Sequence, residues 1–257
     1  MKLITIFNYP DDGNYNELCL WWYLQALKNS GDMPIEIWYE EEPAVMDQIK
    51  MSSLAIDRDI KFVQKDRVDL SEYIPQNYID EKCSHNVGFK LWNLCKEEEP
   101  FIFVDADAVI LEPLHYLVER ATKPIIMVDH QAIKGHTDFL PYKFLNSGVQ
   151  ICADPSILNF NDIIKTFLAA GGYFCPGTDQ AMLFGYFRSL EYDYTHPEIG
   201  YGWNSCAGFT KLIGDKPVCS GLENSDYPVY INHYWYTYKP WTINCPLFNL
   251  FRKGEKS

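Results

Sequence analysis

Hydrophobic and polar positions along the chain fall into short apolar runs separated by longer amphipathic stretches. Residues 3–7 form a first apolar run and 34–39 alternate as a second strand, with helical spacing between them at 17–29 and a Ser30-Gly31 stop. The intervening 8–16 segment is polar and carries Gly13 and Pro10, so it reads as a loop. Strand, loop, helix, strand is a βαβ unit whose first loop lies at an edge where ligands bind. The same reading predicts a helix at 44–51, a strand at 60–63, a helix at 86–95 and buried strands at 101–104 and 124–128. Further on it predicts a turn followed by a strand at 143–153 and helices at 160–170 and 179–190, the last capped by Thr178. Alternation of strands with helices predicts an α/β fold with a parallel or mixed sheet. No repeat, low-complexity segment or linker divides the chain, so we expect one domain over 1–241 and a tail over 242–257.

Composition supports a packed domain. Of 257 residues 47% are apolar, with 18 Tyr, 15 Phe and 7 Trp, enough to build a sizeable core. The net charge of -13 argues against general nucleic-acid binding, which needs a basic face. Eight cysteines are scattered without a C-x-x-C pair, which gives no zinc signature and reads as reduced thiols in a cytoplasmic protein. The first residues are too short an apolar run for a secretory leader, and nothing approaches the roughly 20 apolar residues of a membrane span.

Chemistry concentrates behind the strand Phe101-Ile102-Phe103-Val104. Asp105 and Asp107 follow it, separated by Ala106, and a second apolar run from Ala108 to Leu111 closes the segment. Extended backbone would point both carboxylates to one side at the strand's carboxyl end. Two like charges so close in an apolar setting repel unless a cation neutralises them, so a divalent metal is expected. Four more segments line up with the pair: Asn146-Ser147-Gly148 before an apolar strand, Gly177-Thr178-Asp179-Gln180 opening a helix, Gly202-Trp203-Asn204 in an aromatic loop, and His233 six residues ahead of Lys239-Pro240-Trp241.

In this order the segments resemble the family 8 nucleotide-sugar glycosyltransferases, the glycogenin and lipopolysaccharide galactosyltransferase kind. The resemblance runs from the first βαβ unit to Trp241. It implies a single GT-A (Rossmann-like) domain with a central mixed, mostly parallel sheet flanked by helices. It also implies a Mn2+ (or Mg2+) ion held by Asp105, Asp107 and His233, with Lys239 on the diphosphate of a nucleoside diphosphate sugar, UDP by family default. Lys90 would reach the donor sugar or phosphate, Asn8 or Tyr15 the base and ribose, and Ala106 would line the donor site. Asn146, Asp179 and Gln180 would line the pocket for sugar and acceptor. The implied reaction is transfer of a hexose or similar sugar to a glycan or other hydroxyl acceptor, with retention of configuration.

Two departures stand out. Tyr236 occupies a position where the family has glycine, and Pro176 one where relatives carry an extra carboxylate. Two other readings compete. Asp105-Ala106-Asp107-Ala108-Val109 also fits the D-x-D-x-V pattern of haloacid-dehalogenase phosphohydrolases, and a GT-A domain can bind a sugar nucleotide or glycan without transferring it. His130 and His136 have no partner spacing and receive no role. The tail mixes apolar and basic residues, a pattern that suits weak membrane-surface docking or a short helix packed on the domain.

Overall fold

The computed structural model describes residues 1–8, 13–54, 56–76, 79, 84–129, 145–171, 178–214, 216–220, 226–234, 239–243 and 245–253. Six strands form the central sheet: β1 (Lys2–Ile6), β2 (Ile35–Tyr39), β3 (Ile60–Gln64), β4 (Phe101–Val104), β6 (Ile125–Asp129) and β7 (Leu145–Cys152). Their order is β3-β2-β1-β4-β7-β6. Pairings from β3 to β4 are parallel, and β7 runs antiparallel to both its neighbours. The sheet is mixed and mostly parallel, as expected.

Both faces of this sheet are covered, so its inner strands are buried along most of their length, whereas the edge strand β3 carries exposed Lys61 and Gln64. Alternation divides their side chains. Ile4, Phe101 and Phe103 join one buried cluster, while Leu3, Ile102 and Val104 join another. The first cluster takes in α3, a π-helical segment Asn86–Leu91 running into α-helical Trp92–Leu94, together with α5 (Phe160–Ala169) and α6 (Thr178–Ser189). The second takes in α1 (Gly13–Asn29), α2 (Val45–Ser53) and α4 (His115–Glu119).

A small second sheet lies beyond β4. In it β12 (Ile231–His233) pairs antiparallel with β5 (Ala108–Ile110) and parallel with β8 (Ser205–Cys206). The remaining strands β9 (Thr210–Ile213), β10 (Lys216–Ser220) and β11 (Asp226–Pro228) form an antiparallel meander. Helix α7 (Pro246–Arg252), within the tail, packs on α1: the Phe248 and Phe251 rings lie 5.3 and 5.8 Å from that of Trp21. Arg252 also pairs with Glu17 at 2.5 Å.

Three local expectations are corrected. Helix α1 starts at Gly13 rather than Glu17, because tertiary partners hold the added turn: Asn14 accepts from Arg252 at 3.0 Å and Tyr15 packs edge-on against Trp241 at 4.9 Å. The 86–95 helix opens as a π-turn, and the Asn93 amide donates to the Phe89 carbonyl at 2.8 Å. Asn146, Ser147 and Gly148 do not precede a strand but belong to β7. Opposite them the register with β6 jumps: Met127 faces Gln150, whereas Val128 faces Asn146. The three residues 147–149 are thereby bulged out of the β6 pairing, a device that re-aims side chains next to functional sites.

Candidate active site

The site forms at the carboxyl end of β4, where an open α/β sheet receives its ligands. The backbone does not stay extended there. It turns, with the Ala108 N–H donating to the Asp105 carbonyl at 2.8 Å, so Asp105 and Asp107 converge through a turn rather than through strand alternation. The Asp105 N–H donates to the Gly148 carbonyl at 2.8 Å, which fixes the turn on the bulge of β7. Pairing of β12 with β5 sets His233 opposite Ala108, and the Tyr234 N–H donates to the Asp107 carbonyl at 2.7 Å. A histidine distant in sequence is thus placed by backbone hydrogen bonds against the acidic pair.

His233 Nε2 lies 3.2 Å from Asp107 Oδ1 and 3.9 Å from Asp105 Oδ2, and one ligating atom from each of the three residues lies within 4.8 Å of the others. Asn204, in the 3-10 turn Tyr201–Asn204, decides which nitrogen is available. Its Nδ2 donates to the Asn146 carbonyl at 3.5 Å, so its Oδ1 faces His233 Nδ1 at 2.8 Å and can only accept. Nδ1 carries the hydrogen, and in the neutral ring Nε2 turns a lone pair toward two carboxylates. Three acceptors facing one another repel, and a cation among them turns each into a ligand. Two carboxylate oxygens and one imidazole suit a divalent cation of the Mn2+ kind better than Mg2+, which prefers oxygen throughout, so the residues fit a divalent metal ion. Gly148 makes room for this ring, since a Cβ there would sit 2.2 Å from His233 Cε1.

Two ammonium groups hold the carboxylates. Lys239 pairs with Asp107, and its Nζ lies 5.5 Å from the Tyr15 ring centre. Lys90 Nζ reaches Asp105 Oδ1 and Oδ2 at 3.0 and 3.1 Å, Ser147 Oγ at 3.2 Å and Asp179 Oδ2 at 3.5 Å. Burial alone would push Lys90 down, but the Asp105 and Asp179 carboxylates outweigh it and raise it above the ordinary lysine range. Lys239 is likewise raised, with Asp107 overcoming burial. Burial would raise Asp107, yet the Lys239 ammonium and, when the ring is protonated, the His233 imidazolium hold it well below the usual carboxylate range. For Asp105 burial prevails: with the neighbouring Asp107 charge added, its carboxyl is raised despite Lys90. Three carboxylates against two ammoniums leave the cluster one negative charge with neutral His233, which favours a cation.

The structure brings together Lys90, Asp105, Asp107, Asn146, Asp179, Gln180, His233 and Lys239. Ala106 is buried between the two acids. Asp179 and Gln180 stand in the first turn of α6. Asn146 Oδ1 accepts from the Gly148 N–H at 2.8 Å. Tyr15 flanks Lys239. Asn8 stands apart, one strand over at the end of β1, where its Nδ2 donates to Glu40 Oε2 at 3.2 Å and lies 3.5 Å from His85 Nδ1. Pro176, Gly177, Tyr236, His130 and His136 lie outside the described residues.

Sequence reasoning gave no role to several groups that complete the cluster. Ser147 and Asn204 sit inside motifs it quoted, so position relative to the acidic pair was their signal. Glu40 follows β2 directly and takes both the Asn8 amide and the Arg67 guanidinium, which overcome burial and hold it below the usual glutamate range. His85 packs flat over Phe89 at 6.5 Å, and burial, with Arg67 and Lys90 nearby, pushes it down. A strand-end acid and a lone helix-start histidine carry no pattern that singles them out.

No protein-family model and no curated protein sequence matches this chain. Solved structures do. An active-site mutant of LgtC superimposes with a TM-score of 0.63 at 13% identity, over 99% of this chain and 96% of that one. The bifunctional glycosyltransferase WbbM gives 0.62 at 13% identity over all of this chain, which spans about half (52%) of WbbM. The glycosyltransferase GlyE of Streptococcus pneumoniae gives 0.62 at 13% identity, over 100% of this chain and 61% of that one. The architecture is therefore the GT-A fold of these glycosyltransferases, with the Asp105, Asp107 and His233 donors at the carboxyl end of its central sheet.

Proposed function

We propose that this protein is a metal-dependent glycosyltransferase, moving a hexose or similar sugar from a nucleoside diphosphate sugar, UDP-linked by resemblance, to a glycan or other hydroxyl acceptor. The observation that carries the reading is the juxtaposition of Asp105, Asp107 and His233 with Lys90 and Lys239 on a GT-A sheet. Bound Mn2+ or Mg2+ would be held by Asp105, Asp107 and His233 and would supply Lewis-acid stabilisation of a diphosphate leaving group.

The chain's own residues do the rest. Lys239, largely withdrawn from solvent beside Tyr15, offers an ammonium to the departing diphosphate, where charge develops in the transition state. Lys90 holds Asp105 and Asp179 in place and adds positive potential at the sugar end. Asn8, with Glu40 and Arg67 behind it, forms the nucleoside end one strand away. Asn146, Asp179 and Gln180 line the sugar pocket. Same-face transfer with retention is what the family resemblance implies for this reaction. The free thiols of Cys19, Cys95, Cys152, Cys206, Cys219 and Cys245 support a reducing, cytoplasmic setting. Among the described residues no helix is long and apolar enough to cross a membrane.

Hydrolysis of a panel of UDP- and GDP-sugars with Mn2+ tests the reading without knowledge of the acceptor. Turnover of at least one donor is expected, with loss of about 100-fold or more in Asp107→Ala because a metal ligand is removed. Wild-type turnover by Asp107→Ala would remove the metal role. Phosphate release from simple monoesters with no donor turned over would point instead to a phosphohydrolase.

A further inference from the structure

Ser147, which the sequence left without a role, joins three residues of the site: Lys90, Asp179 and Gln180. It is 3% exposed, in the bulged part of β7, and meets these three residues through two different groups, while its carbonyl accepts from Gln150 Nε2 at 3.0 Å. Its hydroxyl donates to Asp179 Oδ2 at 2.6 Å and receives the Lys90 ammonium at 3.2 Å. A hydroxyl has one hydrogen and two lone pairs, so these two bonds are complementary and fix its direction. The backbone N–H of the same residue donates to Gln180 Oε1 at 3.3 Å. A backbone N–H can only donate, which settles the Gln180 amide: the oxygen faces β7, and the Nε2 hydrogens have no acceptor among the described residues. Asp179 is similarly committed at Oδ2, and its Oδ1 has no hydrogen-bond donor among the described residues. Both side chains thus keep one defined functional end: an acceptor oxygen on Asp179 and an amide donor on Gln180.

We infer that Ser147 is a positioning residue of the sugar subsite, holding the Asp179 carboxylate and the Lys90 ammonium in fixed orientation while its main chain sets Gln180 as a donor. The inference rests on the glycosyltransferase reading and deepens it. Ser147 has no hydrogen bond to Asp105, Asp107, His233 or Lys239, and it reaches Asp105 only through Lys90, so its hydroxyl acts first on the sugar end. An alanine keeps the backbone N–H and removes only the hydroxyl. Asp179 then loses its shortest hydrogen bond, and the carboxylate is free to swing further toward Lys90.

The test compares the intact donor with its free diphosphate. Wild type, Ser147→Ala and Ser147→Thr are assayed on whichever of UDP-glucose, UDP-galactose, UDP-N-acetylglucosamine and GDP-mannose the wild type hydrolyses fastest. Titration calorimetry with the matching Mn2+·UDP or Mn2+·GDP runs alongside. Ser147→Ala should lower kcat/KM for the donor by about 10- to 100-fold, the loss of one charge-assisted hydrogen bond, while affinity for the free diphosphate stays within about twofold. Ser147→Thr, which restores the hydroxyl, should recover most of the loss. Equal activity of Ser147→Ala and wild type would overturn the role, as would an equal loss of affinity for the free diphosphate. If Ser147→Thr is itself misfolded by urea titration, the split between donor and diphosphate in Ser147→Ala decides alone. A wild type that turns over none of the four donors while binding neither diphosphate overturns the glycosyltransferase reading and this role with it, a result distinct from failure of the Ser147 split.

Discussion

At the scale of single residues, the site is built by mutual restriction. His233 can face the acidic pair only because Gly148 has no side chain and because Asn204 fixes its tautomer. Each of these partners is as specific as the ligand it serves. Gly148→Ala should therefore act on the metal rather than on β7 alone. A Cβ 2.2 Å from the His233 ring forces the imidazole out of its place. We expect Mn2+ affinity to fall by about 10- to 100-fold, the range seen when groups supporting a ligand are changed. Overpacking should add about 1–3 kcal/mol of destabilisation. Calorimetric Mn2+ titration and urea unfolding would measure the two separately. Unchanged Mn2+ affinity in a folded Gly148→Ala protein would show that His233 is not a ligand.

At the scale of elements, short pairings carry function that longer elements only support. Strand β12 has three residues, yet its register with β5 is what delivers His233. Helix α7 is seven residues long and acts from behind, closing the far face of α1 through Phe248 and Phe251 on Trp21. Val109 of β5 and Tyr234, next to His233, belong to the same apolar cluster. The tail helix therefore braces the element that carries His233. Phe248 is fully buried, and Phe248→Ala should cost about 3–5 kcal/mol by chemical denaturation. A loss below about 1 kcal/mol would mean that α7 is not part of the folded unit.

Over the whole molecule, charge couples stability to pH through the site. Asp107 is held below its ordinary 3.8, so the stability it adds is fully present above that value and is lost as pH falls through its lower folded value. Lys90 and Lys239 are raised above 10.5, so their contribution is complete below 10.5 and disappears as pH rises through their folded values. Asp105 has the opposite sign to Asp107: its raised carboxyl disfavours folding while ionised, and protonation on acidification relieves that. The metal-free protein should hold its unfolding free energy level only between about pH 7 and pH 8.5. Below 6.5 the lowered His85 costs stability, above 9 the buried thiols of Cys19, Cys95 and Cys152 do so, and beyond 10.5 the two lysines add to the decline. On the acid side the Asp105 relief raises stability as pH falls toward 3.8 and offsets the His85 loss there, whereas the Asp107 loss begins only below 3.8. An Asp105→Asn protein should lose that compensation and fall more steeply, which a urea series from pH 3 to 11 would reveal.

The sequence by itself determined the α/β class, the βαβ opening and the strand ahead of Asp105, because apolar runs and their periods record which faces are buried. It also marked Asp105, Asp107, His233 and Lys239 as one set, through spacing that resembles a family. Register and partners were decided only in the folded chain. The turn at Asp105, the bulge that brings Ser147 between Lys90 and Asp179, the π-turn at Lys90 and the amide of Asn204 behind His233 have no periodic signature. They are hydrogen bonds between polar groups far apart in sequence, and such bonds are fixed by which strand lies beside which. Burial leaves its trace in one dimension along the chain; the geometry of a polar site exists only once the sheet has closed.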